Sequence, residues 1–77
     1  MPYINEHSAR VHNPEKYERF ARKNLTTGID VIIGFIKGGG SEIQAYRFDK
    51  KKFTPDEAKR WLKEHKVNYI SFEKANE

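Results

Sequence analysis

The side chains of this chain best suited to bind a metal or move a proton are its three histidines, His7, His12 and His65. His7 and His12 lie in a polar segment, with no carboxylate or further histidine at a recognised metal-ligand spacing beside them. Ser8 next to His7 does not make a nucleophile pair, because adjacent side chains do not usually converge and no orienting acid is evident. Solvated or helix-capping histidines are expected, and a metal-dependent enzyme using His7 and His12 stays a third alternative.

The carboxylates and glycines of the sequence predict neither a catalytic site nor a phosphate-binding loop. Asp49, Asp56 and Glu57 surround a loop and a predicted helix start, and paired acids for acid–base catalysis need a pocket that 77 residues can hardly build. The run Lys37–Ser41, KGGGS, lacks the spacing of a Walker motif and leads into no helix, so it predicts a hairpin loop. We therefore expect no enzymatic activity, no catalytic residue, no metal and no cofactor.

Basic residues are the strongest chemical signal, since the chain is 34% charged with a formal net charge of +4. A lysine run precedes a predicted helix, and further cations lie on that helix's exposed face and on the strand before the run. Together they could contact the phosphates of a nucleic acid, although no RNP reader motif is present. The alternative is a solvated helix face and a lysine-rich loop that protects a sheet edge. The candidate nucleic-acid-binding residues are Arg47, Lys50, Lys51, Lys52, Lys59, Arg60 and Lys63.

The helix that carries three of these cations has a well-marked start. Thr54 is a suitable N-cap and Pro55 occupies the first helical position. Glu57 can reach back to the Thr54 N–H and close a capping box. The helix is expected to run to about His65. Its apolar face is formed by Ala58, Trp61 and Leu62.

A second helix and three strands complete the predicted elements. Asn13 and Pro14 are typical of a helix start, and apolar residues at helical spacing extend the pattern to Lys23 or Asn24. The predicted class is a single α+β domain of order α-β-β-α-β, with a three-stranded, mainly antiparallel sheet packed by helices. The strands are expected at Ile29–Ile36, Glu42–Phe48 and Val67–Phe72.

The first predicted strand becomes apolar on both faces near its end, which favours a central place in the sheet. The crossover through the second helix would make the last strand parallel to the second strand and antiparallel to the first. Residues 1–12 are expected to be a flexible segment, 13–73 the domain and 74–77 a frayed tail. The predicted core residues are Val31, Ile33, Phe35, Ile43, Ala58, Trp61, Leu62, Ile70 and Phe72.

Two stretches of the chain resemble segments of tailed-phage and prophage proteins. The first is residues 5–10 with 13–17; the second is residues 44–65, which carries the pattern Phe-Asp-Lys, Phe-Thr, Glu-Ala-Lys and Trp-Leu-Lys-x-His. Similar segments accompany head-maturation proteases and other head-morphogenesis proteins as an appended module. The resemblance covers roughly half of the chain. It implies a small accessory or assembly domain, without protease activity and without a catalytic residue to carry over.

The leading hypothesis is therefore a non-enzymatic, phage-derived accessory or assembly module that contacts a phage or host protein, with Tyr3 and Tyr17 as exposed anchors. The alternative is a small basic nucleic-acid-binding protein. An edge strand in so small a sheet also allows a homodimer by strand pairing. The chain has no apolar run near the roughly 20 residues of a membrane span, and its lack of cysteine fits the host cytoplasm or the virion.

Overall fold

The computed structural model describes residues 5–75, which form a five-stranded antiparallel sheet with one α-helix on one face. The predicted order α-β-β-α-β with a three-stranded sheet is wrong, since the described chain runs β-β-β-β-α-β. The elements are β1 (Glu6–Arg10), a 3₁₀ turn (Pro14–Lys16), β2 (Tyr17–Thr26), β3 (Ile29–Ile36), β4 (Ser41–Asp49), α1 (Pro55–Glu64) and β5 (Ser71–Glu73). Across the sheet the strands lie in the order β2-β3-β4-β1-β5.

A single 3₁₀ turn and a strand replace the predicted first helix. Asn13 does cap the turn, since its side-chain oxygen accepts a hydrogen bond from the Glu15 backbone N–H at 3.0 Å. The chain becomes extended at Tyr17, and β2 then pairs antiparallel with β3. The hydrogen bonds of this hairpin ladder outweigh the weak helical spacing of a few apolar side chains.

The N-terminal segment differs from the flexible stretch that was expected over residues 1–12. β1 lies inside the sheet and pairs antiparallel with β4 on one side and β5 on the other. Ser8 and Ala9 of this strand are buried. Glu6–Arg10 therefore belong to the sheet, although the domain was predicted to begin at residue 13. Residues 1–4, which include Tyr3, and residues 76–77 lie outside the described residues.

The central hairpin and the start of α1 form as predicted. β3 and β4 pair antiparallel, and their loop contains three successive glycines with positive φ, at 38, 39 and 40. The Thr54 hydroxyl accepts a hydrogen bond from the Glu57 N–H at 3.1 Å, and the Glu57 carboxylate accepts one from the Thr54 N–H at 2.9 Å. These two bonds are the capping box that fixes where α1 begins.

The last strand does not lie where the sequence predicts. β5 is shorter than the predicted strand and pairs with β1 instead of β3, so β3 is not the central strand. Since β4 and β5 are both antiparallel to β1, they run parallel to each other, as the predicted crossover through α1 requires. Ile70, a predicted core residue, falls in the segment before β5 and is 65% exposed, so that prediction is wrong.

The core lies between α1 and one face of the sheet. It is a cluster of fully buried side chains from β1, β3, β4 and α1. Trp61 and Phe72 pack against this cluster while remaining partly exposed. The cluster consists of Ala9, Ile29, Phe48, Ala58 and Leu62.

The predicted core is confirmed where α1 covers the sheet. Ala58 and Leu62 are fully buried and Val31 is 4% exposed. The predicted core residues of the far half of the β3–β4 hairpin, at 33, 35 and 43, are only partly buried. A helix of ten residues is about 15 Å long, so it cannot also cover that half of the hairpin.

Candidate functional site

Three of the predicted basic residues meet in a groove beside α1. Lys59, Arg60 and Lys63 line one wall, and residues 67–69, in the segment before β5, line the other. The three cations and Asp56 follow i, i+3, i+4, i+7 spacing and so share one stripe of the helix. This stripe faces away from the apolar side of α1 that packs on the sheet. We call this region the basic groove.

Lys66 adds a fourth cation to the basic groove. It follows the C-cap His65 and has φ 55°, the left-handed conformation that favours glycine. The helix ends there in a Schellman motif, in which the Val67 N–H donates to the Leu62 carbonyl oxygen at 2.9 Å. A lysine at this position costs conformational free energy and places an additional positive charge at the groove.

Tyr69 adds an aromatic side chain to the same groove. It is 36% exposed, and its ring centroid lies 6.2 Å from that of Phe72. The Lys59 Nζ lies 5.1 Å from the centroid of the Phe72 ring. A partly exposed ring among lysines offers a surface on which a nucleic-acid base can stack.

The sequence prediction of this site omitted both Lys66 and Tyr69. Lys66 could have been found, because it continues the series Lys59–Lys63 by three further residues, at the end of the same helix stripe. Tyr69 could not, because residues 67–72 were predicted as a strand, whereas Tyr69 lies in the loop that precedes β5.

The lysine run at 50–52 does not join the basic groove. These residues form a tight turn after β4, in which the Asp49 carboxylate accepts a hydrogen bond from the Lys51 backbone N–H at 2.9 Å. Lys50 lines a hollow beside His7, near the start of α1. Lys51 and Lys52 line a separate hollow on the other side of the sheet, together with Arg47. The turn therefore places Lys50 in one hollow and Lys51 and Lys52 in another.

Arg47 lies on the face of the sheet that α1 does not cover. Its neighbours Tyr46 and Phe48 both contact the Trp61 ring, with centroids 5.7 and 5.8 Å apart. Successive strand residues point to opposite faces, so the Arg47 side chain points away from α1. The predicted set of seven basic residues is thus divided between two faces of the sheet.

A compensated charge network occupies that uncovered face. Arg22 donates hydrogen bonds to Glu6 and, at 2.8 Å, to Asp30, while Arg47 lies 3.6 Å from Glu6. Asn24 also donates to Asp30, at 2.9 Å. The hydrogen bonds that Arg22 donates to Glu6 and Asp30 raise the pKa of Arg22, and those that Asp30 accepts from Asn24 and Arg22 lower the pKa of Asp30. The arginines on this face therefore form ion pairs with carboxylates of the sheet itself.

We expect Asp30 to make folding stability sensitive to acid. Because its pKa in the folded state lies below the ordinary 3.8, the folded state favours the carboxylate. This stabilisation is complete well above 3.8 and is lost as the pH falls through the folded pKa. Urea unfolding from neutral to strongly acidic pH measures it. Asp30→Asn should lose less stability on acidification than the wild type, and equal losses would contradict the assignment.

The predicted aromatic anchor Tyr17 is buried. It is 6% exposed, and its ring lies directly over Gly34 of the neighbouring strand. The predicted exposure of Tyr17 is therefore wrong. Burial also raises the pKa of its hydroxyl.

The histidines have structural partners. The Ala75 backbone N–H donates to Nδ1 of His7 at 2.8 Å, so Nε2 carries the proton and donates to the Phe53 carbonyl oxygen at 2.8 Å. His7 is buried, so a solvated or capping role is the wrong prediction for it, whereas His65 is the C-cap of α1. His12 Nδ1 lies 3.1 Å from the Ile43 carbonyl oxygen. The described residues contain no group of three or more histidines or acids able to hold a metal ion.

No protein-family model, curated protein or solved structure matches this chain. The resemblance to phage segments therefore stays a prediction, and function is inferred from the geometry of the basic groove. In the part of the chain that the structure describes, no helix has both the length and the apolar character needed to cross a membrane.

Proposed function

We propose that this protein binds nucleic acid through the phosphate backbone, with the basic groove as the binding site. The observation that carries the proposal is the meeting of four cations in one groove whose described lining includes a single acid, Asp56. Lysine and arginine side chains that converge in this way can neutralise several phosphates and release their counterions. The cations are Lys59, Arg60, Lys63 and Lys66.

Two features of the basic groove are unfavourable in the free protein, although Asp56 lies on the same stripe as the cations of α1. Lys59 and Lys63 stand at i,i+4 on α1, where like charges destabilise a helix by a few tenths of a kcal/mol. Lys66 adds the cost of a left-handed backbone. A bound phosphate backbone would relieve the repulsion, while Tyr69 could stack on a base beside it.

The proposal predicts a loss of binding when the groove is reversed in charge. The double variant Arg60→Glu/Lys63→Glu should bind labelled single-stranded DNA or RNA at least about tenfold more weakly, with a shallower dependence of log affinity on log salt. Fluorescence anisotropy across a salt series measures both quantities. The matched control is Lys23→Glu/Lys37→Glu, which makes the same change in net charge at exposed positions outside the groove.

Lys66→Gly separates binding from folding. Glycine fits the positive φ at this position, so the variant should be at least as stable as the wild type while it binds more weakly. Weaker binding by Lys66→Gly therefore cannot come from unfolding. Equal effects of the groove and control double variants would show attraction by net charge alone. No binding by the wild type at low salt would reject the proposed function.

A protein-contact role, as an accessory or assembly module of the kind that the phage resemblance suggests, is the second candidate. The observation that favours it is the outer edge of β2, which no other strand covers among the described residues. β2 is ten residues long and exposed after Tyr17, so its backbone groups are available to a strand of another chain.

A further inference from the structure

The outer edge of β2 combines backbone groups that pair with no strand among residues 5–75 and an exposed aromatic side chain. Phe20 is 48% exposed and stands in the regular part of the strand, between the register shifts at Tyr17/Arg19 and Asn24/Thr26. It pairs with Gly34, on the face of the sheet that α1 leaves open. Its ring meets the Tyr17 ring edge-on, with centroids 5.6 Å apart.

The two arginines of this edge, Arg19 and Arg22, are already engaged within the chain. Arg22 donates to Glu6 and Asp30. The Arg19 guanidinium lies 4.1 Å from the centroid of the Phe35 ring, on the opposite face. Glu18 lies in the register shift between Tyr17 and Arg19 and has no paired residue on β3. The edge therefore offers one acid that takes no part in the pairing with β3.

Geometry limits how two copies of this edge could pair. An antiparallel pairing of β2 with itself has its two-fold axis perpendicular to the sheet, so each side chain stays on its own face. Residues opposite each other must share a face, and side chains alternate along a strand. The axis must therefore lie between one residue and the same residue of the other copy. Each choice of that residue defines one register.

The charged side chains of β2 make some of these registers unfavourable and others favourable. An axis at Glu18, Arg19, Arg22 or Lys23 places that charged residue opposite its own copy, and an axis at Ala21 places Arg19 opposite Lys23. An axis at Phe20 instead places Phe20 opposite Phe20 and Glu18 opposite Arg22, twice. An axis at Tyr17, or at Asn24 or beyond, pairs only one end of the strand, across a register shift.

We propose that the chain forms a homodimer by antiparallel pairing of β2 with β2, centred on Phe20. The pairing stacks two exposed aromatic rings on the open face and places Glu18 of each copy opposite Arg22 of the other, whose guanidinium also bonds Glu6 and Asp30. It extends the sheet to ten strands across the two copies and covers the longest edge described. Both α1 helices lie on the same face of that sheet, so the two basic grooves face the same side.

The absence of cysteine makes the register directly testable. In the proposed dimer, Phe20→Cys places two thiols opposite each other, within the range of a disulfide. Lys23→Cys is the matched control on the same edge, because its two thiols would lie about 20 Å apart along the strands. Under mild oxidation at micromolar concentration, Phe20→Cys should become a covalent dimer and Lys23→Cys should stay largely monomeric. Equal cross-linking of both variants would overturn the register.

A charge variant tests the unmodified interface. Glu18→Lys places like charges opposite Arg22 and should shift the wild-type dimer to monomer in analytical ultracentrifugation. Glu15→Lys makes the same charge change in the 3₁₀ turn and should leave the dimer in place. A wild-type chain that sediments as a monomer at high concentration would reject the proposal. So would a dimer that Glu18→Lys leaves unchanged. Neither result depends on nucleic-acid binding.

Discussion

Replacement of His7 by alanine should destabilise the folded protein by about 3 kcal/mol, because one buried and one partly buried backbone group lose their partner. The ring accepts the Ala75 N–H at Nδ1 and donates to the Phe53 carbonyl oxygen from Nε2, both at 2.8 Å. It thereby joins β1 to the loop before α1 and to the segment after β5. A domain of this size is expected to have only about 3–5 kcal/mol of stability, so the variant should be close to unfolding at room temperature. Urea unfolding followed by far-UV circular dichroism measures the change.

His12→Ala is the matched control for this prediction. His12 also bonds a backbone carbonyl, that of Ile43, but its side chain is 41% exposed, so water can replace it. Its loss should cost less than about 1 kcal/mol. His7→Gln should recover part of the loss, because an amide carries both a donor and an acceptor. If His7→Ala and His12→Ala cost the same, the two bonds of His7 do not hold the fold together.

The parts of the fold that the sequence predicts are those whose determinants lie within a few residues. The capping box at Thr54 and the glycine loop at 38–40 are complete in local sequence, and both form. β1 is different, because its partners β4 and β5 lie far along the chain. Ser8 and Ala9 carry no alternation of apolar and polar residues, so their extended conformation comes from those partners. β2 is a different case, since β3 follows it directly after the turn at residues 27–28, and pairing with β3 overrides a short helical pattern.

The same distinction holds for the candidate site, where only the residues positioned by local sequence could be predicted. Helical spacing alone places Lys59, Arg60 and Lys63 on one stripe, and the structure keeps them together. Proximity in sequence groups the lysines at 50–52 with these three cations, but the turn after β4 determines which side of the sheet each lysine faces. Arg47 could have been separated from the helix by alternation, since both its neighbours are aromatic and face α1.

Gly34→Ala should destabilise the protein by about 2–3 kcal/mol, although the position lies inside a regular strand. A Cβ built at Gly34 would lie 2.5 Å from Cγ and Cδ1 of Tyr17, closer than real side-chain contacts allow. The Tyr17 ring is buried and meets the Phe20 ring on one side, so it cannot move away freely. The glycine is therefore required by the ring that covers it, and thermal unfolding of Gly34→Ala measures the cost.

A double-mutant cycle separates this contact from a general effect of alanine in the strand. In a Tyr17→Ala background the ring is gone, and Gly34→Ala should be neutral or slightly stabilising, since it removes the extra entropy of glycine in the unfolded chain. If Tyr17→Ala proves too unstable to measure, Tyr17→Leu removes the planar ring and should still reduce the penalty. The same penalty in all three backgrounds would show that the backbone, and not Tyr17, excludes a side chain at Gly34. The cycle thus tests how an aromatic side chain at the start of an exposed edge strand fixes that strand on the sheet.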